Sequence, residues 1–169
     1  GNPADADCDV GPVIDPAAQA KILHHIAQSK VLFQTRAPDV GTFVAPTVLA
    51  VQGIGDLSEE IFGPVLHLAT FLAADLDQVI DDINASGYGL TFGFHSRIDD
   101  RVQRFVNRIN VGNLYINRNQ IGAVVGSQPF GGHGLSGTGP KAGGPRYLPR
   151  FVAQHQLSYH GHIPAVLSV

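Results

Sequence analysis

The chain has 169 residues, of which 44% are hydrophobic and 15% charged, with a formal net charge of -3. Such a chain can bury a core of ordinary size, but it lacks the clustered basic charge of a nucleic-acid surface and any apolar run long enough to span a bilayer. Its single cysteine excludes an internal disulfide and fits a reducing, cytoplasmic setting.

In chain order, Asp15 followed by Pro16 predicts a helix start, with the carboxylate capping free N–H groups and proline in the first turn. Ile22, Leu23 and Ile26 line one face of that helix. Short segments of β character follow at 31–35 and 43–51, and another at 65–71. A second helix is expected from Asp75 to just before Gly87, its apolar stripe formed by Leu76, Val79, Ile80 and Ile83. A strand at 90–95 leads to a third helix over about 99–110, with Val102, Phe105, Val106 and Ile109 inward. Arg101, Arg104 and Arg108 fall on its other side, as a solvated face. A strand at 111–117 completes the series. From residue 65 onward the order is strand, helix, strand, helix, strand, which predicts an α/β fold with a largely parallel sheet covered by helices.

After Asn117 come some thirty residues rich in glycine and proline, longer than compact domains leave irregular without a functional reason. A final segment, 146–159, reads as a strand with Pro149 at its edge or start. No methionine occurs, even at position 1, so the chain reads as a section of a longer one.

The stretch PFGGHGLSGTGPKAGGP at 129–145 contains seven glycines in seventeen residues, and Gly132, Gly134 and Gly137 spell G-x-G-x-x-G. A dinucleotide fingerprint needs a strand before it and a helix after it. Here Gln128-Pro129-Phe130 precedes, and Pro140 and Pro145 follow. A P-loop reading fails as well, because Pro140 precedes Lys141 and Ala142 stands where a hydroxyl belongs. The glycines instead predict irregular backbone packed closely against other backbone.

SEEIFGPV at 58–65, YGL at 88–90, the strand ending in Ile116-Asn117, and then PFGG and SGTG together resemble the C-terminal part of the NAD-dependent aldehyde dehydrogenase superfamily. GNPADADCDVGPVID at 1–15 is similar to that family's segment shortly after its catalytic cysteine. NRNQIGAVVGSQPFGGHGLSGTGPKAGGP at 117–145 resembles, more narrowly, the 1-pyrroline-5-carboxylate (glutamate semialdehyde) dehydrogenases, including the dehydrogenase module of the bifunctional proline utilization A proteins. The resemblance covers about residues 1–158; the tail from 159 to 169 is unmatched. It implies that 1–145 is the C-terminal portion of the catalytic domain and that 146–169 holds an oligomerisation-type strand, RFVAQHQLS, and the tail.

The family chemistry is attack of a cysteine thiolate on an aldehyde, hydride transfer to NAD, and hydrolysis of the thioester. Cys8, in DADCDVG, lacks the family's G-Q-x-C context. The resemblance therefore places the nucleophile, the general base and most of the NAD site upstream of Gly1, so no residue of this chain is expected to be catalytic and the isolated chain is expected to be inactive. What it contributes are holding residues. Glu60 matches the carboxylate that accepts both hydroxyls of the nicotinamide ribose, and Phe62 the aromatic packed beside that ribose. Gly122 and Ala123 match the loop whose successive N–H groups hold the substrate carboxylate. Phe130 matches the aromatic on the substrate's aliphatic stem. Asn117 is expected to fix the start of this loop by bonding its own backbone. The implied partners are glutamate semialdehyde, the remainder of the parent polypeptide, and a second subunit paired through the C-terminal strand.

Two further readings stand beside this one. Read without the family, Glu59-Glu60 is an acidic first turn and Phe62 a core residue; and, as an alternative within the family, the chain is a noncatalytic aldehyde dehydrogenase-like module kept for assembly. A metal site at His24-His25 or His160-His162 is not expected, since adjacent helical histidines splay apart and no further ligands converge.

Overall fold

The structure is a computed structural model that describes residues 1–121, 124, 127–137 and 139–152. It forms two compact units, one of Gly1–Gly87 with Asn107–Ile109, the other of Tyr88–Val106 with the residues from Asn110 onward.

The first unit is organised by helix α1, Pro16–Ala27. As the sequence predicts, the Asp15 carboxylate accepts the Ala18 N–H at 2.7 Å, and Pro16 fills the first turn, where its missing donor leaves nothing unpaired. A helix this short is marginal by itself, so its stability comes from packing. Ile22 and Ile26, one turn apart, meet Val44 and Leu49 in a buried cluster flanked by Val13, Ile61 and Val65. Leu23, expected on the same stripe, is 44% exposed, because it sits about a quarter of a turn off the line joining Ile22 to Ile26.

Beneath α1 lies a three-stranded sheet, β1 (Lys30–Gln34), β2 (Thr47–Ala50) and β3 (Val65–Leu68). β1 runs antiparallel and β3 parallel to the central β2. Along β2, Thr47 and Leu49 are buried while Val48 and Ala50 are half-buried, the period of two that a sheet covered mainly on one face requires. Thr47 hides its hydroxyl by donating to the Ala45 carbonyl at 2.7 Å and accepting from Gln34 at 2.9 Å. The strand expected over 43–51 is confined to 47–50; Pro46, which has no N–H for a ladder, stands immediately before it.

Helix α2, Leu76–Ala85, buries Leu76 and Ile80 and ends before Gly87, whose φ of 77° is the left-handed conformation glycine adopts without strain. Asp75, where the sequence predicts the helix to begin, is the residue just before it and makes no side-chain cap bond. It closes a 3-10 turn, Ala73–Asp75, with φ -90° and ψ 9°, away from the extended conformation that aims a capping carboxylate at the helix. Helix α3, Asp99–Arg108, carries the predicted arginine row. Arg108 nevertheless has partners, lying 2.7 Å from Asp77 and 2.6 Å from Asp81 of α2.

The second unit contains β4 (Tyr88–Gly89), β5 (Thr91–Phe94), β6 (Asn113–Ile116) and β7 (His133–Gly134). β5 and β6 are parallel neighbours joined through α3, the crossover that the alternating pattern predicts. Phe105 of α3 is 2% exposed, its ring centroid 5.5 Å from Phe92 and 4.0 Å from Phe94 of β5. Val106, expected inward, is 42% exposed. β4 and β7 pair antiparallel. The architecture is mixed α/β: of the four ladders among the described residues, two are parallel and two antiparallel, where the sequence predicts a largely parallel sheet.

The strand expected over 146–159 does not form in its described part. Leu148–Phe151 is a 3-10 turn with Pro149 near its start, a position that tolerates a missing donor better than a strand interior does. The rest of that segment and the tail lie outside the described residues. Among the described residues no helix is long and apolar enough to cross a membrane.

In the first unit His25 of α1 and His67 of β3 meet Nε2 to Nε2 at 2.8 Å, edge to face. His24, its neighbour in sequence, is exposed. Burial first, and the neighbouring His25 second, lower the pKa of His67. The unfolded chain therefore binds the proton at a higher pH than the folded one, so this group's contribution to stability is present above about 6.5 and is lost as pH falls below it. Urea midpoints of the chain should fall between about pH 7 and about pH 5, and His67→Gln should make that fall smaller. Equal falls in both proteins would show that the pair does not couple folding to protons.

Candidate functional site

Glu60 and Phe62 lie in the loop between the 3-10 turn Ile54–Asp56 and β3, and their neighbours hold the loop on α1. Glu59 accepts from Lys21 Nζ at 2.6 Å, and Ile61 packs on the buried cluster. At Gly63 the backbone passes so near α1 that a Cβ would come within 2.6 Å of Ile22 Cδ1. Between these anchors Glu60 and Phe62 are both exposed. The Glu60 carboxylate has no hydrogen-bond or ionic partner among the described residues. Phe62 is 80% exposed. Both line a recess of about 90 Å³ with Ala18, Lys21, Ile22 and Ile61. Neither alternative reading of this stretch matches the coordinates, since Glu60 is outside any helix and Phe62 outside the core. An unpaired carboxylate can accept from two adjacent hydroxyls, and an exposed ring offers an apolar face to a sugar. The residue types thus fit the ribose of a nicotinamide cofactor.

Phe130 belongs to the second unit and is half-buried. Its N–H donates to the Ala142 carbonyl at 3.0 Å and its carbonyl accepts the Ala142 N–H at 2.9 Å. The Asn113 side chain spans it, Nδ2 donating to the Pro129 carbonyl at 3.1 Å and Oδ1 accepting the Gly131 N–H at 3.2 Å. Lys141 Nζ donates to the carbonyl of Gly112. Three chain segments, 112–113, 129–131 and 141–142, are fastened together in this way. A Cβ at Gly112 would fall on the Gly131 carbonyl, and one at Gly131 would approach Lys141 Cα at 3.2 Å.

The glycines of the G-x-G-x-x-G run serve the same close approach. A Cβ on Gly132 would lie 2.5 Å from the Ser136 carbonyl oxygen and 2.9 Å from that of Gly89, while Gly134 takes a positive φ of 59°. The run contains β7 and, among the described residues, no α-helix follows it, whereas the fingerprint needs a helix N-terminus there to cradle pyrophosphate.

Gly122 and Ala123 lie outside the described residues. Asn117, at the entrance to their loop, has φ 53° and bonds through its side chain not to its own backbone but to Ser96, accepting its N–H at 2.9 Å and donating to its carbonyl at 3.0 Å. Cys8 makes a local contact, its thiol 3.4 Å from the Val10 carbonyl. No group of three or more metal-ligating side chains occurs among the described residues. The sequence reasoning passed over Asn113 and Lys141. The only signal for Asn113 was a polar, strand-averse residue within VGNLYIN, and Lys141 offered none beyond its failure to complete a P-loop.

An aldehyde dehydrogenase family model matches residues 1–156. The bifunctional protein PutA of Rhizobium meliloti is 54% identical over 151 residues, covering 85% of this chain and 12% of that protein. A crystal structure of proline utilization A from Bradyrhizobium japonicum aligns over 84% of this chain and 15% of its own, at 53% identity with a TM-score of 0.80. A 1-pyrroline-5-carboxylate dehydrogenase from Thermus, solved with bound NAD, aligns over 83% of this chain and 28% of its own, at 37% identity with a TM-score of 0.73. The chain belongs to the aldehyde dehydrogenase family. Within it, the chain is similar to PutA and to the 1-pyrroline-5-carboxylate dehydrogenases, and it spans about an eighth of the length of the PutA relative.

Gly132→Val should lower the melting temperature of the chain by several degrees, since backbone on two sides leaves no room for the side chain. An unchanged melting curve would contradict this packing.

Proposed function

We propose that this chain is the C-terminal portion of a catalytic domain that oxidises L-glutamate γ-semialdehyde to L-glutamate with NAD, within a larger proline-catabolising polypeptide. The observation that carries the reading is the pairing of an unpartnered Glu60 carboxylate with a solvent-facing Phe62, in a family member whose relatives include a dehydrogenase solved with NAD. Glu60, Phe62 and PFGG occurring together favour this reading over a noncatalytic module kept for assembly, which has no need of all of them.

In this reading Glu60 accepts both hydroxyls of the nicotinamide ribose and Phe62 packs against the sugar, which fixes the cofactor's reactive end without entering the chemistry. NAD, when bound, supplies the hydride acceptor. The Gly122 and Ala123 N–H groups hold the substrate carboxylate, as successive backbone amides hold anions elsewhere. Phe130 covers the substrate's aliphatic stem. The nucleophilic cysteine and the general base come from sequence preceding this section, and a second subunit pairs through the segment RFVAQHQLS at 150–158. Holding both reactants at fixed positions is how such residues raise the rate of a step they do not perform.

Two measurements test the reading. The 169-residue chain by itself should reduce no NAD in the presence of the aldehyde; robust turnover would refute it. In the full-length enzyme, Glu60→Gln should raise the KM for NAD about tenfold, because an amide accepts more weakly than a carboxylate and brings no charge. Unaltered NAD kinetics would remove Glu60 from the cofactor site.

A further inference from the structure

The fastening around Phe130 is more complete than a surface loop requires. Both backbone hydrogen-bonding groups of Phe130 are used by Ala142. The carbonyl before Phe130 and the N–H after it are used by one side chain, Asn113. Asn113 is itself fixed, as it begins β6 opposite Thr91 and its N–H donates to the Leu90 carbonyl at 3.0 Å. Four hydrogen bonds therefore hold the backbone around Phe130, two to Asn113 at the start of β6 and two to Ala142, and leave its side-chain torsions as the main freedom. Lys141 closes the arrangement by binding Gly112, the residue before Asn113, while the residue after Lys141 is the one paired with Phe130.

An amide suits this place better than other side chains of its size. It presents one acceptor and two donors in a plane, which lets it receive the N–H of Gly131 and satisfy the carbonyl of Pro129 together. Aspartate keeps the acceptor and loses the donor. Leucine, of similar volume, loses both and leaves two partly buried backbone groups unpaired.

We infer that Asn113 is a positioning residue for substrate specificity: it sets the aromatic face of Phe130 against the aliphatic stem of the aldehyde, and Lys141 braces it. The inference rests on the functional reading above, in which Phe130 meets that stem. It requires Asn113 to act through Phe130 and through nothing else.

A double-mutant cycle in the full-length dehydrogenase tests this. Asn113→Asp should raise the KM for glutamate semialdehyde about tenfold while leaving the KM for NAD within about twofold. Phe130→Ala should do the same, and the double variant should be no worse than Phe130→Ala alone, since a misplaced ring and a missing ring lose the same contact. A two-carbon aldehyde, which has no stem, should show little discrimination among the four proteins. Additive losses in the cycle, or equal losses for the long and short aldehydes, would overturn the inference and leave the reading of Phe130 intact. If the unsubstituted enzyme fails to oxidise glutamate semialdehyde, the functional reading fails and the inference falls with it. Asn113→Leu and Lys141→Met report on the fastening in this chain itself, and each should speed hydrogen exchange at the Gly131 and Ala142 amides. Unchanged exchange in both would overturn the inference independently of any activity.

Discussion

At Gly112 the start of a strand runs against the backbone of Gly131 with no room for a side chain on Gly112, and the fastened segments of the second unit meet at that approach. Backbones this close must satisfy their own polar groups, because water cannot enter between them. Asn113 and Lys141 perform that service, one for residues 129 and 131, the other for residue 112. The bridge from Phe130 to Ala142 follows, and so does the course of the glycine-rich chain up to β7, where Gly132 lies on the carbonyls of Ser136 and Gly89. A segment that reads as a loose surface loop is a set of backbones pressed together, and the aromatic ring at its centre is one of the better determined features of the unit.

The first unit reaches a comparable result by a different route. Its loop at 59–63 contains little regular structure, yet it is pinned by an ion pair at Glu59, an apolar anchor at Ile61 and a close pass at Gly63. The ion pair is half-exposed and adds little to stability by itself. Its consequence is geometric, since fixing the residues on either side of Glu60 determines where an unpaired carboxylate stands. Glu60 and Phe62 in the first unit are exposed at their side chains and held through their neighbours, and Phe130 in the second is held through its backbone and its neighbours, the condition for binding without loss of loop entropy.

Much of this was legible in the sequence wherever one local rule dominated. The Asp15-Pro16 helix start, the stripe of Leu76 and Ile80, and the alternation from β3 through α2, β5 and α3 to β6 all depend on neighbours within a turn or a strand. What depends on distant partners was misread. Leu23 and Val106 have the right spacing for a core face but lie at its margin. The Arg108 row looks solvated until α2 supplies Asp77 and Asp81. Residues 146–152 have a strand's composition but turn at Pro149. For the site, Glu60, Phe62 and Phe130 were visible only through a family pattern, because a carboxylate and two phenylalanines carry no signal of their own. Asn113 and Lys141 stayed hidden for a further reason: each acts on backbone more than fifteen residues away, and backbone partners leave no trace in residue identity.

The contact between His25 and His67 has one more consequence. Two uncharged imidazoles touching at Nε2 can share only one hydrogen there, so one ring donates and the other accepts. The accepting ring must then carry its hydrogen on Nδ1, and the donating ring must leave its own Nδ1 bare. The tautomer chosen on α1 thereby dictates the tautomer on β3, and a change of hydrogen-bonding at the outer nitrogen of either ring is transmitted across the helix–sheet boundary without any atom heavier than hydrogen having to move.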